Sequence, residues 1–182
     1  MAGSRLVRIG GWTAVVTAAL LAGCAPKRPP PPPPPSPPVT PVPPAAALDP
    51  ESYMAFTASS ALFAIRASNF AEGRGSTNKI KKFASQAVVD QMGIGAQLNL
   101  AGRHIDLLPS SRLLPEHEAM LQALATSSDF DGTYKAQMAR VLRSAAAAHR
   151  AFEVSGDSPT LRPVARFAAP VCEKGLAALG KL

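Results

Sequence analysis

The first residues in this chain with types and spacing suited to chemistry are Leu21-Ala22-Gly23-Cys24, which close an apolar run that follows Arg5 and Arg8. The pattern is that of a bacterial lipobox. Small residues at Ala22 and Gly23 let the backbone enter a protease, and Cys24 offers a thiol for thioether attachment of a diacylglyceryl group. Cleavage then exposes an α-amine for a further acyl chain such as palmitate. The stretch from Trp12 to Ala22 is too short to cross a hydrocarbon core of about 30 Å as a permanent helix, so residues 1–23 read as a lipoprotein signal peptide. Each buried methylene contributes roughly 0.8 kcal/mol, so two or three acyl chains make a firm tether. Ala25 stands where an aspartate would signal retention in the inner membrane. The expected location is therefore the outer membrane, lipid-anchored, with the domain facing the periplasm.

The remaining reactive side chains do not form an enzyme pattern. Glu116, His117 and Glu118 are adjacent, so on a helix they fan outward. Pro115 just before them puts both acids in a first turn, where the helix dipole favours negative charge. His104 falls in a connector and His149 on an Arg-flanked helix face, and both are expected at the surface. Serines are plentiful, but a serine nucleophile needs a base and an orienting group, and no Gly-x-Ser-x-Gly or Ser-x-x-Lys constellation is expected. There is no Glu-x-x-His string and no Gly-rich phosphate loop after a strand. Of the two cysteines, one is committed to lipid, which leaves Cys172 without a disulfide partner and on an apolar stripe, a buried and inert thiol. No enzyme activity, metal or cofactor is expected.

Basic side chains give the chain a formal charge of +7, two units less once Arg5 and Arg8 leave with the signal peptide. The cluster Lys79, Lys81 and Lys82 is the candidate contact for an anionic partner such as envelope polymer, or for another envelope protein. Nucleic acid is not an expected partner, because no aromatic residues interleave with the cations. Residues 24–48 hold the lipidated cysteine and a stretch from Pro26 to Pro44 that is mostly proline. Proline fixes φ and lacks an N–H, so this run should form a stiff polyproline II stalk of roughly 55–60 Å at about 3.1 Å per residue.

The elements that must position any site lie in residues 49–182, which are large enough for one domain. Apolar residues recur there at helical spacing and β-branched alternation is scarce, so the expectation is all-α. Asp49-Pro50 starts a first helix with Tyr53, Phe56, Phe63, Ala67 and Phe70 inward, ended by Gly73 and Gly75. Ser76 or Thr77 starts a second, with Ile80, Phe83, Ala87, Val88, Ile94 and Leu98 inward. In it Gly93 and Gly95 would let another helix approach. A connector from Gly102 to Leu114 leads to a short helix opened by Pro115 and ending near Ser127. Asp129 caps a long helix to about Phe152. Ser158-Pro159 starts the last, carrying Leu161, Val164, Ala168, Val171, Cys172, Leu176 and Leu179, with a kink at Pro170. Four long helices with a short extra helix in the crossover describe a four-helix bundle.

The run Phe130-Asp131-Gly132-Thr133-Tyr134 before a long helix, then Ser155-Gly156-Asp157-Ser158-Pro159 and Ala169-Pro170, resembles the domain of unknown function 4142 family, predicted outer-membrane and periplasmic proteins. Lys79 to Asp90 looks like the family's stretch ending in Val-x-Asp-His. The resemblance implies a ferritin-like fold from about Asp49 to Leu182. It also implies a metal-handling or oxidative-stress role as the alternative, because relatives often carry an acid in helix one and histidines in later helices. Those positions align here with Ala64, Gln91, Leu142 and Gly175, none of which ligates iron. The preferred reading is a non-catalytic envelope structural or interaction module of unknown oligomeric state.

Overall fold

The computed structural model describes residues 49–182, so the expected signal peptide, the expected lipobox from Leu21 to Cys24 and the expected stalk lie outside the described residues. The described chain forms five helices and no strand: α1 (Pro50–Arg74), α2 (Asn78–Arg103), α3 (Pro115–Thr126), α4 (Phe130–Ser155) and α5 (Arg162–Leu179). The starts follow from local chemistry. The Asp49 carboxylate accepts the Ser52 N–H at 2.8 Å, and that bond holds its pKa below the ordinary value. Thr77 Oγ1 accepts from Ile80, and Asp129 Oδ1 accepts from Gly132. Proline occupies the first turn of α1, α3 and α5, where no intrahelical N–H bond is lost.

Short turns make α1/α2 and α4/α5 antiparallel hairpins, and the hairpins pack α1 on α4 and α2 on α5. Tyr53, early in α1, stacks on Phe152, late in α4, with ring centroids 3.9 Å apart. Ser68, late in α1, meets Tyr134, early in α4. Thus α1 and α4 are antiparallel too. The helices of the two hairpins run up-down and down-up around a four-helix bundle, which obliges the segment between α2 and α4 to climb its full length. That segment contains α3, which lies along α1 and α4.

Two devices fix the crossover. At its foot Asp106 adopts a left-handed conformation, φ 54°, which lets the Leu107 N–H reach the Gly102 carbonyl at 2.9 Å, the six-to-one closure of a Schellman turn with aspartate in the usual glycine position. Gly102 leaves no room for a side chain, since a Cβ there would collide with the Leu107 carbonyl and press Met54 Cε at 3.3 Å. At its head the Arg74 guanidinium donates to the Ala125 carbonyl at 2.7 Å and the Ser127 carbonyl at 3.3 Å, while its Cζ sits 4.5 Å from the centre of the Phe130 ring. One side chain thereby closes the free carbonyls of α3 and joins them to α1 and α4.

The core is continuous, built around Tyr53, Phe63, Ile94, Leu98, Tyr134, Met138, Leu142, Phe152 and Cys172. Helix α1 is its centre and is rich in alanine and serine, so neighbours approach closely. Its buried hydroxyls are satisfied: Thr57 donates to the Tyr53 carbonyl and Ser60 to the Phe56 carbonyl. Several expected details differ. Phe70 is 38 % exposed, at the edge of the buried arc; Phe63 on that same edge is buried because the His117 ring covers it, centroids 5.6 Å apart. Nothing approaches a Cβ built on Gly93 or Gly95, because that face of α2 meets solvent, with Val89, Met92 and Leu100 exposed on either side. Helix α5 begins at Arg162, one turn later than expected, because Ser158 first closes a separate turn by accepting Leu161 and Arg162 N–H groups at its carbonyl.

Candidate functional site

The lysines expected to meet an anionic partner do not act as one cluster. Lys79 and Lys82, three residues apart on the first turns of α2, face a groove between α2 and α5, while Lys81 is exposed outside it. Lys174 on α5 and Lys181 in the turn that follows it line the other side. None of these four lysines is in an ion pair among the described residues. The floor is apolar: Phe83 and Ala87 from α2, Leu142 from α4, Val171 and Ala178 from α5. Asp90 is the one acidic side chain along it, and Gln86 already donates to it at 2.9 Å. The groove has a volume of about 480 Å³, within the usual range for small-molecule pockets. Sequence reasoning missed Lys174 and Lys181, which meet Lys79 and Lys82 only across the bundle.

Gln91, Leu142 and Gly175, three of the four positions where relatives were expected to carry metal ligands, line this same groove. Gln91 is buried beside Cys172. Burial pushes the Cys172 thiol up to about 11, and the Gln91 amide draws it only partly back. A Cβ on Gly175 would stand 3.3 Å from Leu142 Cδ1, so the space there is already filled with carbon. The fourth position, Ala64, is fully buried. Among the described residues no three His, Cys, Asp or Glu side chains gather as a metal site. A ferritin-type centre requires carboxylates and imidazoles aimed at one point, and an amide, an isobutyl group, a methyl and a hydrogen do not fit it.

His149, expected at the surface, is instead inside, and so is His117, expected to fan outward with Glu116 and Glu118. His149 is 1 % exposed, and its Nδ1 lies 2.9 Å from the Tyr53 hydroxyl. Burial lowers its pKa to about 4, so it is neutral at pH 7, and the same burial pushes the Tyr53 phenol well above its ordinary value. The signal was present in the sequence: His149 continues the stripe of Val141, Leu142, Ala145 and Phe152. The acid one turn on, Glu153, does not reach it, because that carboxylate is held by Arg150 at 3.2 Å and Arg166 at 3.1 Å. His117, 3 % exposed, shares a stripe with Leu121 and Leu124. Its Nδ1 is 2.7 Å from Ser59 Oγ, which also accepts the Leu114 N–H at 2.8 Å. Desolvation lowers its pKa, with Glu116 opposing and Arg140 assisting. The adjacent Glu116 and Glu118 are exposed, as expected of first-turn acids. His104 is exposed.

A serine 2.7 Å from a neutral imidazole has the geometry of a nucleophile and its base. Ser59 is only 1 % exposed, however, and its oxygen is occupied by Leu114, so the pair fastens the crossover to α1. Against expectation, Ser76-Thr77-Asn78-Lys79 has the Ser-x-x-Lys spacing. In the structure the Ser76 hydroxyl donates to the Asp131 carboxylate at the start of α4, whereas Lys79 turns to the groove. The two are not an activated pair.

A family model described as a domain of unknown function (DUF4142) matches residues 35–182. No curated protein and no solved structure matches the chain.

Proposed function

Because the chain belongs to the family of the domain of unknown function DUF4142, we propose that it is a lipid-anchored, non-catalytic bundle that serves the bacterial envelope as a structural or interaction module. In this reading Cys24 carries the acyl chains, the proline-rich stalk holds the domain away from the outer membrane on its periplasmic side, and the domain works through its surface. The lipobox Leu21-Ala22-Gly23-Cys24 is the observation that carries the tether. The lack of an open reactive centre in the described domain supports the non-catalytic part. Its histidines 117 and 149 are sealed in pairs with Ser59 and Tyr53, its free thiol is buried, and its unpaired charge faces outward. A ferritin-like relationship is supported by the connectivity, two hairpins joined by one long crossover.

The tether is tested by metabolic labelling with an alkyne-bearing palmitate followed by separation of inner and outer membranes. The native chain should take up label and sediment with outer membrane, and Cys24→Ser should lose both properties. Equal labelling of the variant, or native protein confined to the inner membrane, would refute the tether. The rival metal-handling role would be restored by stoichiometric iron, manganese or zinc in the protein purified without added metal. Retrieval of neighbours from intact envelopes with the anchor retained would name the partner.

A further inference from the structure

We propose that the groove between α2 and α5 binds a single-chain amphiphile with an anionic head group. The groove runs along α2 from Lys79 to Gln91, about 18 Å at 1.5 Å per residue, a length suited to an extended acyl chain. Phe83, Ala87 and Leu142 are buried beneath it, and the carbon open to water comes from half-buried Val171, exposed Ala178 and the lysine stems; covering that strip with an alkyl chain is favourable in proportion to the apolar area removed from solvent. A polyanion or an acidic peptide would leave this strip wet.

Charge selects the head group. Lys79, Lys82, Lys174 and Lys181 have no anionic partner in the domain, and the one acidic side chain on the rim, Asp90, is engaged by Gln86. The ammonium groups sit on long flexible stems, so they can close over a carboxylate or phosphate while their methylenes lie against the chain. Leu142 fills the space beside Gly175, where an added Cβ would stand 3.3 Å from its Cδ1, so the helices close beneath the groove on carbon. This inference is independent of whether Cys24 is acylated.

The test uses the full chain carrying Cys24→Ser, kept free of detergent, titrated calorimetrically with dodecanoate, dodecyl phosphate and polyglutamate. The two amphiphiles should bind saturably at one site, and their relative affinity distinguishes a fatty acid from a phospholipid-derived ligand. Ala178→Trp, at an exposed position, should fill the groove and abolish that site with helicity unchanged. Lys79→Glu with Lys174→Glu should weaken binding of both anions at least tenfold. The proposal is overturned if neither amphiphile saturates, if Ala178→Trp binds as the parent does, if the charge reversal has no effect, or if polyglutamate alone binds.

Discussion

Lowering the pH from 7 to 5 should destabilise the domain through His149. The imidazole is buried against Tyr53 and neutral in the folded state, with a pKa of about 4. In the unfolded chain it returns to about 6.5. Here the folded value lies below the unfolded one, the reverse of a histidine that gains a carboxylate partner. The contribution of the neutral imidazole is therefore fully present above about 6.5 and is lost as the pH falls towards 4, because only the unfolded state takes up the proton in that window. The whole interval corresponds to about 3 kcal/mol, and by pH 5 about 2 kcal/mol of it should already be gone. His117 is shifted in the same direction and adds to the slope. The carboxylates lowered by hydrogen bonds, Asp49 and Glu173, titrate below this range. Urea unfolding followed by circular dichroism between pH 7 and pH 5 measures the effect, with His149→Gln as the comparison because glutamine can still meet the Tyr53 hydroxyl but does not titrate. The variant should lose most of the slope, whatever its stability at pH 7. Parallel pH dependences for the two proteins, or an NMR titration of His149 near 6.5, would refute the reasoning.

Three further outcomes follow from contacts described above. Ser59→Ala removes the oxygen that serves both His117 and the Leu114 N–H, and should cost about 1–3 kcal/mol in urea unfolding, the usual penalty for buried polar groups left unpaired; an unchanged midpoint would show the crossover is fastened elsewhere. Gly102→Ala places a methyl against the Leu107 carbonyl and should lower the melting temperature, in contrast to Gly73→Ala, which meets nothing and gains helix propensity of about 1 kcal/mol. Cys172, fully buried with its pKa raised to about 11, should resist a soluble maleimide in the native domain and react only on unfolding; rapid native labelling would contradict its burial.

The fold was legible wherever local chemistry sets an element's end. Asp49, Thr77 and Asp129 are capping side chains followed by apolar spacing, and each does start a helix at the expected place. What local pattern could not supply was which parts of a helix a distant segment would cover. Phe63 and Phe70 look alike from α1 alone, and only the path of α3 decides that one is buried. His117 and His149 were misplaced because their type outweighed their position on apolar stripes, whereas His104 is exposed as expected. The groove was half legible: Lys79 and Lys82 could be read from α2, but Lys174 and Lys181 join them only because the bundle sets α5 beside α2.

The two ends of the bundle differ in the side chains they gather. Pro50 begins α1 beside Phe152, whereas Lys79, Lys82 and Lys181 gather where α1 finishes and α5 finishes. The length of α1 separates them, about 35 Å for its 25 residues. A force applied to the backbone at Asp49 therefore bears first on the aromatic base, a helix length away from the lysine-edged opening.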